Sequence, residues 1–128
     1  MSDLRQTGIK TRRRVLGDAH VDRSEAVQTP FDQPFQALLT DTAWGHVWSR
    51  DTISLRERSM MTIAILAATG NDHELALHLR ATANTGASEA DIMDVMLHVG
   101  VYAGIPRANT AVRIAKEVFA ERAANTKA

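Results

Sequence analysis

The chain has 128 residues, and its 15 basic side chains balance its 15 acidic ones, so the formal net charge is zero. Apolar residues at 45% and charged residues at 23% are the composition of an ordinary globular domain, which excludes disorder over most of the length and a broadly basic nucleic-acid footprint. Cysteine is absent, which excludes disulfides, thiolate zinc sites and every cysteine-nucleophile mechanism.

In chain order, the opening Met1-Ser2-Asp3-Leu4-Arg5 lacks the apolar run of a signal peptide. Residues 6–16 and 35–44 have helical length and composition, with Gly17, Thr29-Pro30, Gln33-Pro34 and Gly45 as breakers around them. Four better-marked helices follow. Ser54-Leu55-Arg56-Glu57 has the spacing of a capping box and opens a helix to about Thr69. Asn71 caps a second helix, which ends near Thr85 with Gly86 after it. Ser88 opens a third, with Glu89 and Asp91 where the helix dipole favours negative charge. Gly104 and Pro106 close that helix, and Pro106 starts a last one running to about Ala123. No alternating Val/Ile/Thr-rich run suggests a strand, so the expectation is an all-α fold of about six helices in a single domain, with residues 123–128 as a frayed tail.

The helix after Ser54 is apolar around its whole circumference at Met60, Met61 and residues 63–68, which implies burial on every side. Packing against a second copy would provide it, as would enclosure by the other helices. Residues 63–68 are also the longest apolar stretch, well short of the ~20 needed to span a membrane, so a cytoplasmic protein is expected.

With cysteine absent, the groups able to do chemistry are histidine, tyrosine and arginine. Glu74 and His78 stand at i and i+4, where a carboxylate can orient an imidazole and raise its pKa for proton transfer; the plainer reading is a solvated pair. His98 and Tyr102 repeat that spacing at the edge of the Ile92, Val95, Met96 and Val99 stripe, as a pocket wall or as boundary residues. Trp44 and Trp48 flank Gly45 and His46, as core or as the sides of a cleft. Arg12-Arg13-Arg14 reads as a solvated helix face, whereas Arg50, Arg56 and Arg58 bracket the start of the apolar helix, where a guanidinium can meet a carboxylate. No spacing points to a metal: His73 and His78 are five apart and out of phase on a helix.

Four strings taken together resemble the carboxymuconolactone decarboxylase family. They are Val15-Leu16-Gly17-Asp18-Ala19-His20-Val21-Asp22-Arg23, Ala43-Trp44-Gly45-His46-Val47-Trp48-Ser49-Arg50, Glu74-Leu75-Ala76-Leu77-His78-Leu79-Arg80, and Leu97-His98-Val99-Gly100-Val101-Tyr102-Ala103-Gly104-Ile105-Pro106. The resemblance runs from about residue 8 to residue 120. The family's alkylhydroperoxidase branch carries Cys-x-x-Cys before a histidine. Registered on His78 and Gly86, those cysteine positions fall on Asn71 and Glu74, and the proton-relay glutamate falls on Ser59. The resemblance therefore implies the cysteine-free, decarboxylating branch.

What it further implies is an alkylhydroperoxidase-like helical bundle over residues 1–128, assembled as a homo-oligomer, a hexamer. The implied activity is decarboxylation of 4-carboxymuconolactone to β-ketoadipate enol-lactone and CO2, in the protocatechuate branch of the β-ketoadipate pathway, with no cofactor or metal. The implied partner is that small dicarboxylate lactone, with neither nucleic acid nor membrane. Roles follow from what the reaction needs: His78, oriented by Glu74, protonates the ring; His98 and Tyr102 bind or position the lactone oxygen; Arg50, Arg58 and Arg80 bind the acetate; Trp44 and Trp48 line a drier region for the leaving carboxylate. Another unsaturated lactone or keto acid, or a non-catalytic helical binding module, are the competing readings.

Overall fold

A computed structural model describes residues 2–126. All described secondary structure is helical: α1 (Asp3–Leu16), α2 (Asp18–Ala26), α3 (Gln33–Leu39), a π-helix (Thr40–Trp48), α4 (Leu55–Thr69), α5 (Asp72–Thr85), α6 (Glu89–Tyr102) and α7 (Ile105–Thr126). The chain divides into two compact units, unit 1 up to Leu55 and unit 2 from Arg56 onward.

Unit 1 is built on contact between α1 and the π-helix. Ser2 caps α1 by accepting a hydrogen bond from the Arg5 backbone N–H at 3.1 Å. Gly8 and Gly45 allow the two backbones to touch: a Cβ on Gly8 would run into the Thr40 carbonyl, and one on Gly45 would lie 2.6 Å from the Leu4 carbonyl oxygen. Arg5 then pairs with both carboxylate oxygens of Asp41. The second anchor of α1 is Arg13, which reaches Asp18, Asp22 and Glu25 of α2 at 3.1, 2.9 and 3.3 Å. Val15 and Val21 are the aliphatic side chains this arrangement buries most deeply.

Two expectations change here. The helix foreseen at residues 35–44 is an α-helix only as far as Leu39 and then widens into a π-helix ending at Trp48. Helix α2 has no counterpart in the sequence reading, because its nine residues are mostly polar and bury only Val21, leaving no apolar stripe to detect.

Unit 2 is an apolar bundle. Ile63 of α4, Leu75 and Leu79 of α5 and Ile92 of α6 are almost wholly inaccessible, and Ala111, Ile114, Ala115 and Val118 of α7 close the core over them. Part of the expected punctuation is present, although Asn71, at the start of α5, makes no side-chain capping hydrogen bond. Ser88 and Asp91 form a reciprocal capping box on α6, and Gly86 ends α5 in the left-handed conformation at φ +88°. Arg122 ties α7 to α5: its Nη2 donates to the Leu79 carbonyl and to Thr82 Oγ1, both at 2.9 Å, while its guanidinium lies 5.5 Å from the Phe119 ring centre. Helix α7 continues to Thr126, beyond Ala123, where the sequence suggested fraying; Lys127 and Ala128 lie outside the described residues. In α4 the apolar circumference is half used. Ile63 and Ala67 are buried, while Met61 and Ile65 are exposed, so the bundle does not enclose the helix.

No helix of the described residues is long and apolar enough to cross a membrane.

Candidate functional site

The residues singled out from sequence divide between the units. Trp44, Trp48 and Arg50 belong to unit 1; Arg58, Glu74, His78, Arg80, His98 and Tyr102 belong to unit 2. In unit 1 the π-helix brings the two indoles together, buried, with ring centres 5.1 Å apart and planes tilted by 32°. A π-turn is an uncommon geometry that recurs at functional sites. Side chains support this one. The Thr40 hydroxyl donates to the Gln36 carbonyl at 2.7 Å, and the Ser49 hydroxyl donates to the Trp44 carbonyl at 2.6 Å while meeting Thr11 Oγ1 at 2.6 Å. Gly45 serves the packing on α1 rather than opening a gap between the indoles.

Beside this support lies a cleft of about 380 Å³ whose wall includes Trp48, Arg50, Thr11, Ser49, Asp51 and Arg14. Two guanidiniums against one carboxylate leave it cationic, and the indole gives it an apolar side, so it is suited to a small anion. Arg14 was not foreseen. The three consecutive arginines do not form one solvated face, because neighbouring helical residues point about 100° apart: Arg12 is buried, Arg13 holds α2, and Arg14 enters the cleft. The available signal was the i, i+3 pair Thr11 and Arg14, hidden inside the run of like charges.

In unit 2, His78 lies on the inward face of α5 and Arg58 on α4; they are 8% and 7% exposed, unusually deep for these residue types. Ser59 is fully buried beside Arg58 in sequence, and its hydroxyl has no partner. Glu74 occupies the exposed first turn of α5, so it and His78 sit in different surroundings despite their i, i+4 spacing. His98 and Tyr102 stack with ring centres 4.7 Å apart on the exposed side of α6, with Tyr102 79% exposed. Arg80 turns toward α7, where its Nε lies 3.5 Å from Glu121. Arg56 is committed to structure: it holds Asp91 through two bonds at 2.8 and 2.6 Å. That contact, assisted by Ser88, keeps the Asp91 carboxyl well below the usual carboxylate range. Among the described residues no group of three or more His, Asp and Glu side chains is placed to hold a metal ion.

The profile of the carboxymuconolactone decarboxylase family matches residues 33–117. The chain belongs to this family. Among characterised members, it is 43% identical over 112 residues to 4-carboxymuconolactone decarboxylase of Acinetobacter baylyi, covering 88% of this chain and 84% of that one. It is also 39% identical over 99 residues to nitrosuccinic acid decarboxylase npaB of Metarhizium robertsii, covering 77% of this chain and 69% of that one. The family match begins at α3, so Arg14 lies outside it, whereas Trp44, Trp48, Arg50, Arg58, His78, His98 and Tyr102 lie within it.

Proposed function

We propose that this family member decarboxylates 4-carboxymuconolactone to β-ketoadipate enol-lactone. The observation that carries the reading is the 43% identity to an enzyme of that name across 88% of the chain. The chemistry asks little beyond side chains. The carboxylate to be lost sits on the γ carbon of an unsaturated lactone. When its C–C bond breaks, the electron pair moves through the ring C=C to the lactone carbonyl, giving CO2 and a dienolate. Proton transfer to the ring carbon next to that carbonyl completes the enol-lactone. The substrate is its own electron sink, so we assign no cofactor.

The protein's tasks are to bind the spectator acetate, to stabilise the dienolate oxygen and to deliver one proton. Arg50 and Arg14, in the cationic cleft of unit 1, are suited to the spectator acetate. His78 is our choice for the proton donor, because burial shields the transfer from bulk water. Arg58 is buried in the same unit and can serve the developing oxyanion, and the stacked His98 and Tyr102 add hydrogen-bond donors. Arg80 has its nearest ionic partner in Glu121 and is the weaker candidate for the acetate.

The similarity to a nitrosuccinic acid decarboxylase favours a second reading. Nitrosuccinic acid also has two carboxyl groups and a built-in electron acceptor, its nitro group, so the same set of tasks would serve it. We further infer a homo-oligomer, a hexamer in the manner of the family, because Met61 and Ile65 of α4 are left exposed, and a cytoplasmic place in the protocatechuate branch of the β-ketoadipate pathway. The test is CO2 release by chelator-dialysed protein from freshly generated 4-carboxymuconolactone and, in parallel, from nitrosuccinic acid. Turnover of the lactone at the higher kcat/KM is the expected result; turnover of nitrosuccinic acid alone would transfer the assignment to the second reading.

A further inference from the structure

The wall of the cleft that presents Arg14 and Arg50 also carries two bonded hydroxyl groups, those of Thr11 and Ser49. Ser49 Oγ donates to the Trp44 carbonyl at 2.6 Å and lies 2.6 Å from Thr11 Oγ1. A hydroxyl has one proton to give. Ser49 commits its own to Trp44, so Thr11 is the donor in the second bond, and the chain runs one way from α1 into the π-helix. Each end of it departs from the ordinary pattern. Thr40, Thr42, Thr69 and Thr126 donate to the carbonyl four residues back, the usual choice for a helical threonine, whereas Thr11 reaches across to another segment. Ser49 follows the last residue of the π-helix, where one more i→i+5 bond would bring its backbone N–H to the Trp44 carbonyl. That N–H turns to the Val47 carbonyl instead, and the hydroxyl takes its place at Trp44.

We infer that Thr11 and Ser49 are positioning residues that hold Arg14 and Arg50 at the spacing where both grip one carboxylate. The inference rests on the reading of this cleft as the seat of the substrate's spectator acetate. Arg14 stands one helical turn after Thr11 on the same side of α1, about 4.5 Å along the axis. Arg50 is the residue after Ser49, in a tight turn closed by its own N–H on the Val47 carbonyl at 3.2 Å. The Thr11–Ser49 bond therefore ties the two backbones together beside the points from which the two guanidiniums leave. Both arginines are exposed and long, so fixing their roots reduces the freedom they lose when a ligand is held between them. Without the bond each guanidinium still attracts an anion, but the convergent grip is lost.

Steady-state kinetics of CO2 release from 4-carboxymuconolactone, with circular dichroism as the check on folding, tests this. Thr11→Val keeps the branched shape and removes the donor. It should raise KM roughly three- to tenfold, the range for one neutral hydrogen bond, with kcat little changed. Thr11→Ser keeps the hydroxyl and should hold KM within about twofold of wild type. In an Arg14→Ala background, Thr11→Val should change KM by less than about twofold, because the spacing no longer matters. A merely structural role would multiply KM equally in both backgrounds. Ser49→Ala reads the same bond from its other end if Thr11→Val fails to fold. An unchanged KM in Thr11→Val, equal factors in the two backgrounds, or a raised KM in Thr11→Ser would each overturn the inference while leaving the cleft as the carboxylate site. Wild-type KM in Arg14→Ala and Arg50→Ala would instead reject the cleft itself, and the inference with it. If the lactone is not turned over, calorimetric titration with succinate compares the same variants by Kd, with the same factors expected; absence of succinate binding to the wild-type protein would also overturn the inference.

Discussion

In unit 2 the helices close over Ile63, Leu75, Leu79 and Ile92, and polar groups such as Arg122 and the Ser88–Asp91 box trim the ends. Unit 1 has little of that. Its helices meet through two glycines, an Arg5–Asp41 pair, the Arg13 cluster and a Thr11–Ser49 contact, with two indoles and two valines as its buried apolar material. The difference extends to chemistry. Unit 1 presents the guanidiniums of Arg14 and Arg50 to a cleft, whereas unit 2 carries a buried imidazole. An apolar core tolerates a few buried polar groups because burial elsewhere offsets them, while a unit assembled from ionic and backbone contacts presents charge at its surfaces and clefts as a matter of course.

The proposed division of labour can be broken most sharply at His78. His78→Gln should lower kcat by about 10²- to 10⁴-fold, the usual worth of a positioned acid, with KM little changed and helicity retained by circular dichroism. A variant that keeps its kcat removes His78 from the reaction. Next in size is the contrast in packing. Leu79→Ala opens a hole in the unit 2 core and should cost about 2–5 kcal/mol in a urea titration. Gly8→Ala in unit 1 should cost about 1–3 kcal/mol through overlap with the Thr40 backbone, although it adds one methyl group to a helix that would otherwise favour it. A neutral or stabilising Gly8→Ala would mean that backbone contact does not hold unit 1 together.

Smaller effects sharpen the comparison. Arg14→Ala and Arg50→Ala should each raise KM for the lactone by roughly tenfold with little change in kcat, since a spectator carboxylate contributes binding in ground and transition states alike. A kcat effect as large as that of His78→Gln would show that the cleft of unit 1 contributes more than binding. Smallest is the response to acid. Asp41 and Asp91 are held below the ordinary carboxylate range, mainly by their hydrogen bonds to Arg5 and Arg56. A carboxyl with a folded pKa below its unfolded value of ~3.9 contributes its full stability above that pH and loses it as pH falls toward the folded value. Both tryptophans lie in unit 1, so their fluorescence reports that unit alone. We expect the fluorescence change to precede the loss of far-ultraviolet ellipticity as pH drops below about 4, because the ion pairs of unit 1 are not backed by an apolar core like that of unit 2. Coincident transitions would show that the two units lose structure together.

Legibility followed the same division. The helices of unit 2 could be read because caps, glycines and prolines mark their ends and apolar residues recur on their faces, as at Ser88, Gly86 and Pro106. In unit 1, α2 was missed because it buries one valine, and the π-helix because no pattern in residues 40–48 separates an i→i+5 turn from an i→i+4 one. The cleft residues Trp48 and Arg50 stood out in the sequence as one of two indoles around Gly45 and as a guanidinium ahead of the apolar helix, while Arg14 was lost in a charge run.

What the sequence determined by itself was composition, the all-α class, the ends of the later helices, the exclusion of thiol chemistry and the family. These are local or inherited properties, written in residue types and short spacings. Only the tertiary structure decided that Arg12, Arg13 and Arg14 have three different fates, that His78 and Arg58 are buried while Glu74 is not, and that Gly8 and Gly45 bring two backbones into contact. Each depends on which neighbour lies across from a given helix face, and that neighbour is set by packing between segments far apart in the chain.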